Sequence, residues 1–558
     1  MRTVSTFHQR AAMKPTASFG PCSSLLWSVF VLVFSAVPVR AQLATSRGSE
    51  DVTTRVSVDS AGNPGNDESY TQNGQLISGD GRFVVFDSDA TNLVPDDTNG
   101  ITDVFLHDRL TGETRRVSVS STGQQANGFS SGNSISADGR YIAFNSDATN
   151  LVPGDTNNST DAFVYDRLTR ETKCVSVDSA GNQRNGRSWR PSLSADGRYV
   201  AFMSLATNLV PNDTNGKIDV FVHDCLTLET TRVSVDSAGN QANGDSWYFS
   251  CAISADGRFV AFPSEATNLV AGDTNGYMDV FVHDRTTGAT SRVSVDSNGE
   301  QADQASYYPA VSADGRYVAF LSVASNLVSG DTNGVRDVFV HDCATGQTKR
   351  VSVGSLGEQG DHESWNPSIS ADGRYIAFHS YANTLSVDDH NHSGSDVFVH
   401  DQITGQTWLS TEEGNDIEGF STKGWSDFAS ISSDGRCVSF HGSDPFLLQD
   451  GNSGGHVYVR APELSVDAEP RFVLSGQTLT LTLYKSVAER PASLWAVEVN
   501  GAPTFSLIAT GKFGADGNFV LSGTVPPDLG VLDVTFRGCG IGRSGKIRTT
   551  NVVIVSFG

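Results

Sequence analysis

The pentapeptide Ser-x-Asp-Gly-Arg recurs seven times, with aspartates at Asp80, Asp138, Asp196, Asp256, Asp314, Asp372 and Asp434, so successive copies stand 58, 58, 60, 58, 58 and 62 residues apart. A period of this length constrains the fold more than any local propensity. Each repeat must be one supersecondary unit that buries its apolar face against its neighbours. Within a copy the order is constant. In the third, a short run ends at Ser194 and Ala195-Asp196-Gly197 follows, then RYVAFMS from Arg198 to Ser204. A loop containing ATNLVPNDTNG leads to DVFVHD from Asp219 to Asp224, and TRVSVD from Thr231 to Asp236 closes the copy.

Asp-Gly between apolar runs predicts a tight hairpin, because glycine supplies the positive φ that such turns need. The second and third runs are apolar on both faces (Val200, Ala201 and Phe202; Val220, Phe221 and Val222), as in strands sandwiched between neighbouring sheets. The fourth alternates Val233 and Val235 with Arg232 and Ser234, the pattern of a strand with one solvated face. Four-stranded sheets repeated about an axis make an all-β fold, a seven-bladed β-propeller. The strand count adds the closure. Only six VSV-type segments follow their own blade, the sixth degraded to Trp408-Leu409-Ser410-Thr411, and the missing one stands upstream at Thr53 to Val58. An N-terminal strand is therefore expected to complete the last blade, beside His456 to Arg460, giving a propeller over 53–460. Beyond it, alternating runs at Thr478 to Tyr484, Leu494 to Val499 and Val531 to Phe536 predict a small β-sandwich over 461–558.

The N-terminus carries Arg2, Arg10 and Lys14, then the apolar run Leu25 to Val37, then Val39-Arg40-Ala41. This is the order of a signal peptide over 1–41, with a linker over 42–52. Its apolar core of about 13 residues is shorter than the roughly 20 needed to span a bilayer. The mature protein is expected to be extracytoplasmic (periplasmic, cell-surface or secreted), with no transmembrane segment. A net charge of -24 excludes nucleic acid as a partner, since phosphate contacts need clustered Lys and Arg. The cysteines left after cleavage, Cys174, Cys225, Cys251, Cys343, Cys437 and Cys539, show no CxxC spacing, and only Cys225 and Cys343 are equivalent. Neither a disulfide framework nor a zinc site is expected.

The unit SADGRYVAFxS followed by DVFVHDxxTGxTxRVS resembles the TolB-type, WD-repeat-like propeller repeat, whose pattern is a Ser-Pro-Asp-Gly turn and a later Asp-x-x-Thr-Gly turn. The resemblance implies an exported propeller that binds proteins or stands beside a catalytic domain. Ala or Gly replaces the proline in most copies, and seven repeats stand where TolB has six. TolB's role in envelope assembly is therefore not carried over.

In antiparallel blades the turns after the first and third strands share one rim, and the longer loops after the second and fourth share the other. Long loops on a rigid scaffold are the expected ligand face. Two constellations project there. An aromatic opens each first strand: Tyr70, Phe129, Trp189, Trp247, Tyr307, Trp365 and Trp425. These could ring the channel mouth and take a sugar, peptide or apolar partner, or else pack between blades. The loop DTNGxxD places Asp97, Asn99 and Asp103; Asp155, Asn157 and Asp161; Asp213, Asn215 and Asp219; Asp273, Asn275 and Asp279; and Asp331, Asn333 and Asp337. Blade six stretches it to Asp389, Asn391 and Asp396, and blade seven keeps Asp450 and Asn452. Carboxylate and amide oxygens on alternate residues suit calcium, although the bidentate glutamate of an EF-hand is missing. The same residues also serve turn chemistry.

Catalytic motifs are weaker. Gly128-Phe129-Ser130-Ser131-Gly132 fits GxSxG but lacks the strand-turn-helix of a nucleophile elbow. His107, His223, His283, His341 and His400 recur at one place in the third strand, a blade apart, and read as packing residues. Near-identical blades argue against a single asymmetric active site. The leading expectation is a non-enzymatic propeller that binds a protein, glycan or surface polymer through its long-loop face, with no required cofactor and calcium as the alternative. A hydrolase or lyase at the channel mouth, and a calcium-stabilised adhesion or structural protein, are the other readings.

Overall fold

The computed structural model describes residues 51–462 apart from 73, 248–249, 387–388, 390–393, 412–424 and 444–454, and beyond 462 only the strand backbones. The expected signal peptide lies outside the described residues, as do Asn391, Asp450 and Asn452. Among the described residues there is no helix, and hence none able to cross a membrane.

Seven four-stranded antiparallel sheets follow one another in sequence. Blade 1 comprises Ser69–Tyr70, Phe83–Ser88, Asp103–Asp108 and Glu113–Arg116, and the same order repeats. Blade 7 comprises Trp425–Ile431, Val438–Ser443 and His456–Pro462, and its fourth strand is the N-terminal Asp51–Arg55. The ring is thus closed non-covalently, with Asp51 opposite Pro462 and Arg55 opposite Tyr458. The second and third strands are largely buried and pair through one aromatic residue each. Phe86 and Phe105 stack at 5.7 Å, Phe202 and Phe221 at 6.0 Å, and Phe440 stacks on Tyr458 at 5.8 Å in blade 7.

The fourth strand differs from the sequence reading. It ends at Arg116, Cys174, Arg232, Arg292 or Arg350, before the VSV segment, and the closing strand lies at Asp51–Arg55 rather than at Thr53 to Val58. The serine of each VSV explains why. Ser234 Oγ accepts the Val220 N–H at 3.1 Å and donates to the Asp219 carboxylate at 2.5 Å, which pulls the backbone inward and buries a position that alternation places in solvent.

Each Asp-Gly turn is locked by its own residues. Ser254 donates to Asp256 at 2.7 Å while its oxygen accepts the Phe259 N–H at 2.9 Å. The glycine is required twice over. Gly257 has φ 73°, and a Cβ there would run into the ring of Tyr199 in the preceding blade. Neighbouring blades are also latched at the third strand. His223 Nδ1 and Thr230 Oγ1 lie 2.9 Å apart, and that hydroxyl donates to the Val177 carbonyl of the blade before at 2.6 Å. The five repeated histidines are packing residues of this kind.

Beyond 462 the described backbone consists of strands. Glu469–Pro470, Thr478–Tyr484 and Asn518–Thr524 form one sheet. Ala509–Lys512, Pro491–Val499, Asp533–Ile541, Ile547–Thr549 and Val553–Ser556 form a second.

Candidate functional site

The first strands of all seven blades line an axial cavity of ≈ 140 Å³. Its two ends are built differently. At the tight-turn end stand Gly79, Ala137, Ala195, Ala255, Ala313, Ala371 and Ser433, the variable residue of each Ser-x-Asp-Gly-Arg turn. From Gly79 round to Ala371 the backbone N–H of each donates to the carbonyl of the next blade's residue: Gly79 to Ala137 at 2.9 Å, Ala195 to Ala255 at 3.0 Å, Ala255 to Ala313 at 3.1 Å, and Ala371 to Ser433 at 2.9 Å. Proline has no N–H to give. This collar is therefore a physical reason for the alanines that stand where the TolB-type repeat has proline.

At the long-loop end the first strands are interrupted by β-bulges, between Trp189 and Ser192, Tyr307 and Ala310, Trp365 and Ser368, and Asp427 and Ser430. The bulge puts Arg190, Tyr308, Asn366 and Phe428 at φ 55°, 56°, 49° and 49°. Left-handed backbone at residues other than glycine is strained, and such strain gathers at functional sites. Blade 1 carries a longer segment here, Thr71 to Gly74, and blade 4 an insertion at 248–249 that accounts for the 60-residue spacing.

Symmetry also fails at one position of the second strand, the x of VAFxS. Around the ring it reads Asp87, Asn145, Met203, Pro263, Leu321, His379 and His441. Blades 6, 7, 1 and 2 thus present a polar arc, and blades 3, 4 and 5 an apolar one. Asp87 is buried and accepts the Gly132 N–H at 2.7 Å and the Ser131 hydroxyl at 2.8 Å. Burial pushes its carboxyl up to about 7, against the opposing pull of those bonds, of the Arg190 charge and of a Gln72 hydrogen bond. Arg190 reaches from blade 3 to Gln72 of blade 1, Nη1 to Oε1 at 3.2 Å. In blade 7, Asp427 and His441 Nδ1 are 3.1 Å apart and Trp425 stands edge-on to His441 at 4.6 Å. Burial pushes His379 down to about 4. Three polar side chains in this region hold atoms without a hydrogen-bond partner: Asn133 (Oδ1 and Nδ2), Asn366 (Oδ1) and His379 (Nδ1).

The aromatics do not form one equivalent ring. Tyr70, Trp189, Tyr307 and Trp365 share a register, each directly after the serine that pairs with the end of the second strand. Trp247 follows the corresponding Ser246, whose hydroxyl meets that of Ser264 at 2.9 Å. Phe129 and Trp425 stand one residue earlier, before Ser130 and Ser426, so alternation turns them the other way. Phe129 and Trp247 are exposed, at 39% and 38%, while Tyr307 is buried. Tyr70, Trp189, Trp365 and Trp425 are half-buried. Tyr70 donates to Thr102 at 3.2 Å, and Arg336 lies over Trp365 at 4.4 Å.

The DTNGxxD loops hold a cation of their own. Arg232 lies 3.1 Å from Asp213 and 3.3 Å from Asp219, and Arg292 and Arg350 repeat this with Asp273 and Asp279, and with Asp331 and Asp337. Arg116 does the same for Asp97 and Asp103. In each of these loops the asparagine turns its nitrogen to the carboxylate, as Asn215 does to Asp219 at 2.9 Å, and its oxygen to a backbone N–H. Blade 2 reaches the same end by another route. Cys174 replaces the arginine, and Arg184, where other blades have Ala or Gly, pairs with Asp161; Asn157 again faces that carboxylate with its nitrogen. These residues do not fit a calcium ion, because a guanidinium stands between the carboxylates. Blade 6 has Leu409 in the arginine's register; its Asp389 and Asp396 are both buried, and Asp396 accepts the Thr411 hydroxyl at 2.8 Å. Among the described residues no group of three or more His, Cys, Asp or Glu side chains could hold a metal.

Sequence reasoning missed Asp87, Arg190, Gln72, Asn366 and His379. The signal was the one unrepeated letter of VAFxS, together with the departure of two spacings from 58.

No family model matches this protein, and no curated protein is similar to it. Among solved structures it is similar to the putative TolB of Agrobacterium tumefaciens, at 16% identity over 62% of this chain and 94% of that one, TM-score 0.33. It is similar to the periplasmic gluconolactonase of Pseudomonas aeruginosa, at 14% identity over 87% and 99%, TM-score 0.31. An acylaminoacyl peptidase matches at 12% identity over 76% of this chain and 59% of its own, TM-score 0.43. The likeness is one of fold. This protein is a seven-bladed β-propeller.

Proposed function

We propose that the protein is an extracytoplasmic binding protein that takes a glycan at the channel mouth on its long-loop face. The observation that carries this reading is the polar arc of Asp87, Asn145, His379 and His441 in blades 1, 2, 6 and 7, on a rim that also carries solvent-facing Phe129 in blade 2 and Trp247 in blade 4. Flat apolar rings with a few convergent polar groups suit sugar faces and hydroxyls. Export is supported by the charged, apolar and small-residue order of the first 41 residues. The test is capture of polysaccharides by the wild type and by a Phe129→Ala/Trp247→Ala variant. Both rings are exposed, so the variant should keep its melting temperature and lose about tenfold or more in affinity. Unchanged capture would sink the reading.

A second reading rests on Asp87. A buried carboxyl with its pKa near neutrality can give and take a proton, as a hydrolase or lyase requires. Asp87→Asn would then abolish turnover of a bound glycan and leave its affinity in place. Wild-type protein that releases no product from any captured polymer leaves the binding reading alone.

A further inference from the structure

The arginines of the two repeated rings all meet carboxylates. Arg82, Arg140, Arg198, Arg258, Arg316 and Arg374 pair with the aspartates that end the third strands, and those of the DTNGxxD loops pair as described above. Arg190 pairs with none among the described residues. Its one hydrogen bond goes to Gln72 Oε1 at 3.2 Å, an oxygen of a neutral amide, which leaves most of its five donors unused. It stands at the bulge register that Tyr308 and Asn366 occupy in blades 5 and 6, and those two line the axial cavity. The Asn366 side chain is buried, at 7% exposure, and its Oδ1 accepts no hydrogen bond. Arg190 is half-buried and none of its unbonded nitrogens is sealed from solvent, so its remaining donors are open to an anion, whereas the orphaned amide oxygen of Asn366 is costly unless something supplies the missing donor. Asp87, whose charge acts on Arg190, is hydrogen-bonded by Ser131, Gly132 and Gln72 rather than by Arg190.

We infer that the head of the axial cavity binds a carboxylate-bearing sugar, a uronic acid residue of a glycan, with its carboxylate on Arg190 and a hydroxyl donating to Asn366. The cavity of ≈ 140 Å³ compares with roughly 10–15 Å³ for one water by the same measure, so a monosaccharide unit fits. Guanidinium and carboxylate form paired charge-assisted hydrogen bonds, the strongest polar contact available here. This assignment rests on reading the mouth as a glycan site and names the class of glycan.

The test uses the whole mature protein and calorimetry at constant ionic strength with four probes: D-glucuronate, its methyl ester, D-glucose and N-acetylglycylglycine. Glucuronate should bind about tenfold or more tightly than the ester or glucose, and Arg190→Gln should erase that difference. Asn366→Ala should weaken glucuronate and ester alike by a few fold, and the wild-type comparison of acid with ester stands even if the Arg190 variant does not fold. Acid and ester binding equally, no binding of the acid, or a preference that survives Arg190→Gln would each overturn the inference. So would tighter binding of the peptide acid, which would point to the terminal carboxylate of a polypeptide instead. If neutral polysaccharide is still captured through Phe129 and Trp247 when acid and ester bind alike, the role of Arg190 falls while the glycan reading stands.

Discussion

The framework between blades and the mouth of the axial channel obey different rules. In the framework one interaction is repeated around most of the ring, and in blade 2, where its arginine is lost, Arg184 answers for Cys174. At the mouth nothing is restored. Asp87, Asn145, His379 and His441 replace apolar residues on one side only, and their neighbours include polar atoms without partners. A scaffold selected for closure tolerates a swap that preserves the charge balance. A glycan site of the proposed kind would keep groups whose partner is the ligand.

The largest effect should come from breaking the framework. Arg184→Ala leaves Asp161 buried without its guanidinium, which should cost about 3–5 kcal/mol in urea unfolding. Adding Cys174→Arg should return most of that, by rebuilding the arrangement of blades 1, 3, 4 and 5. Failure of the rescue would mean that the two arginines are not exchangeable. Next comes the hairpin glycine. Gly257→Ala should cost about 3 kcal/mol, adding a ring clash to the left-handed backbone, while Gly216→Ala at φ 62° with open space around it should cost about 1 kcal/mol. Equal costs would deny the packing of turn on ring.

The two regions should respond to pH with opposite signs. Burial holds His107 and His400 of the framework near 4, below the usual histidine value. Their stabilisation is present above about pH 6.5 and is lost as pH falls toward 4, by about 1 kcal/mol each between about pH 7.5 and 5.5. Asp87 has the opposite sign. Its carboxyl is raised to about 7, so its contribution is present in full below about pH 4, is lost as pH rises from there to about 7, the last ~1 kcal/mol of it above about pH 6, and changes no further in more alkaline solution. Asp87→Asn should steepen the loss of stability between about pH 7.5 and 5.5, where the wild-type carboxyl offsets the histidines, and leave the profile above about pH 8 unchanged in slope. The smallest effect is none at all: calcium or a chelator should leave the melting temperature unchanged, because arginine already pairs the Asp-loop carboxylates, whereas a bound ion would raise it.

How much was legible follows from where each residue's partner lies. The hairpins were readable because Ser254, Asp256 and Gly257 satisfy one another within one turn. Closure by an N-terminal strand was readable by counting, although its register slipped because the burial of Ser57 and Ser234 depends on hydrogen bonds to a neighbouring strand. The Asp loops were identified as polar clusters, yet their cation was not, since Arg232 lies 13 residues beyond Asp219. The aromatic positions were located, but which of them face solvent depends on the bulges beside them.

The sequence by itself determined the number of blades and the order of strands, because a repeat that stacks only on its neighbours carries its packing rules within one period. Only the tertiary structure decided what stands at the axis. Gln72, Asp87, Arg190 and Asn366 come from blades 1, 3 and 6 and are far apart in sequence. They lie at one end of the axis because the ring turns the inner strands of every repeat toward one line, where small differences between copies stand side by side.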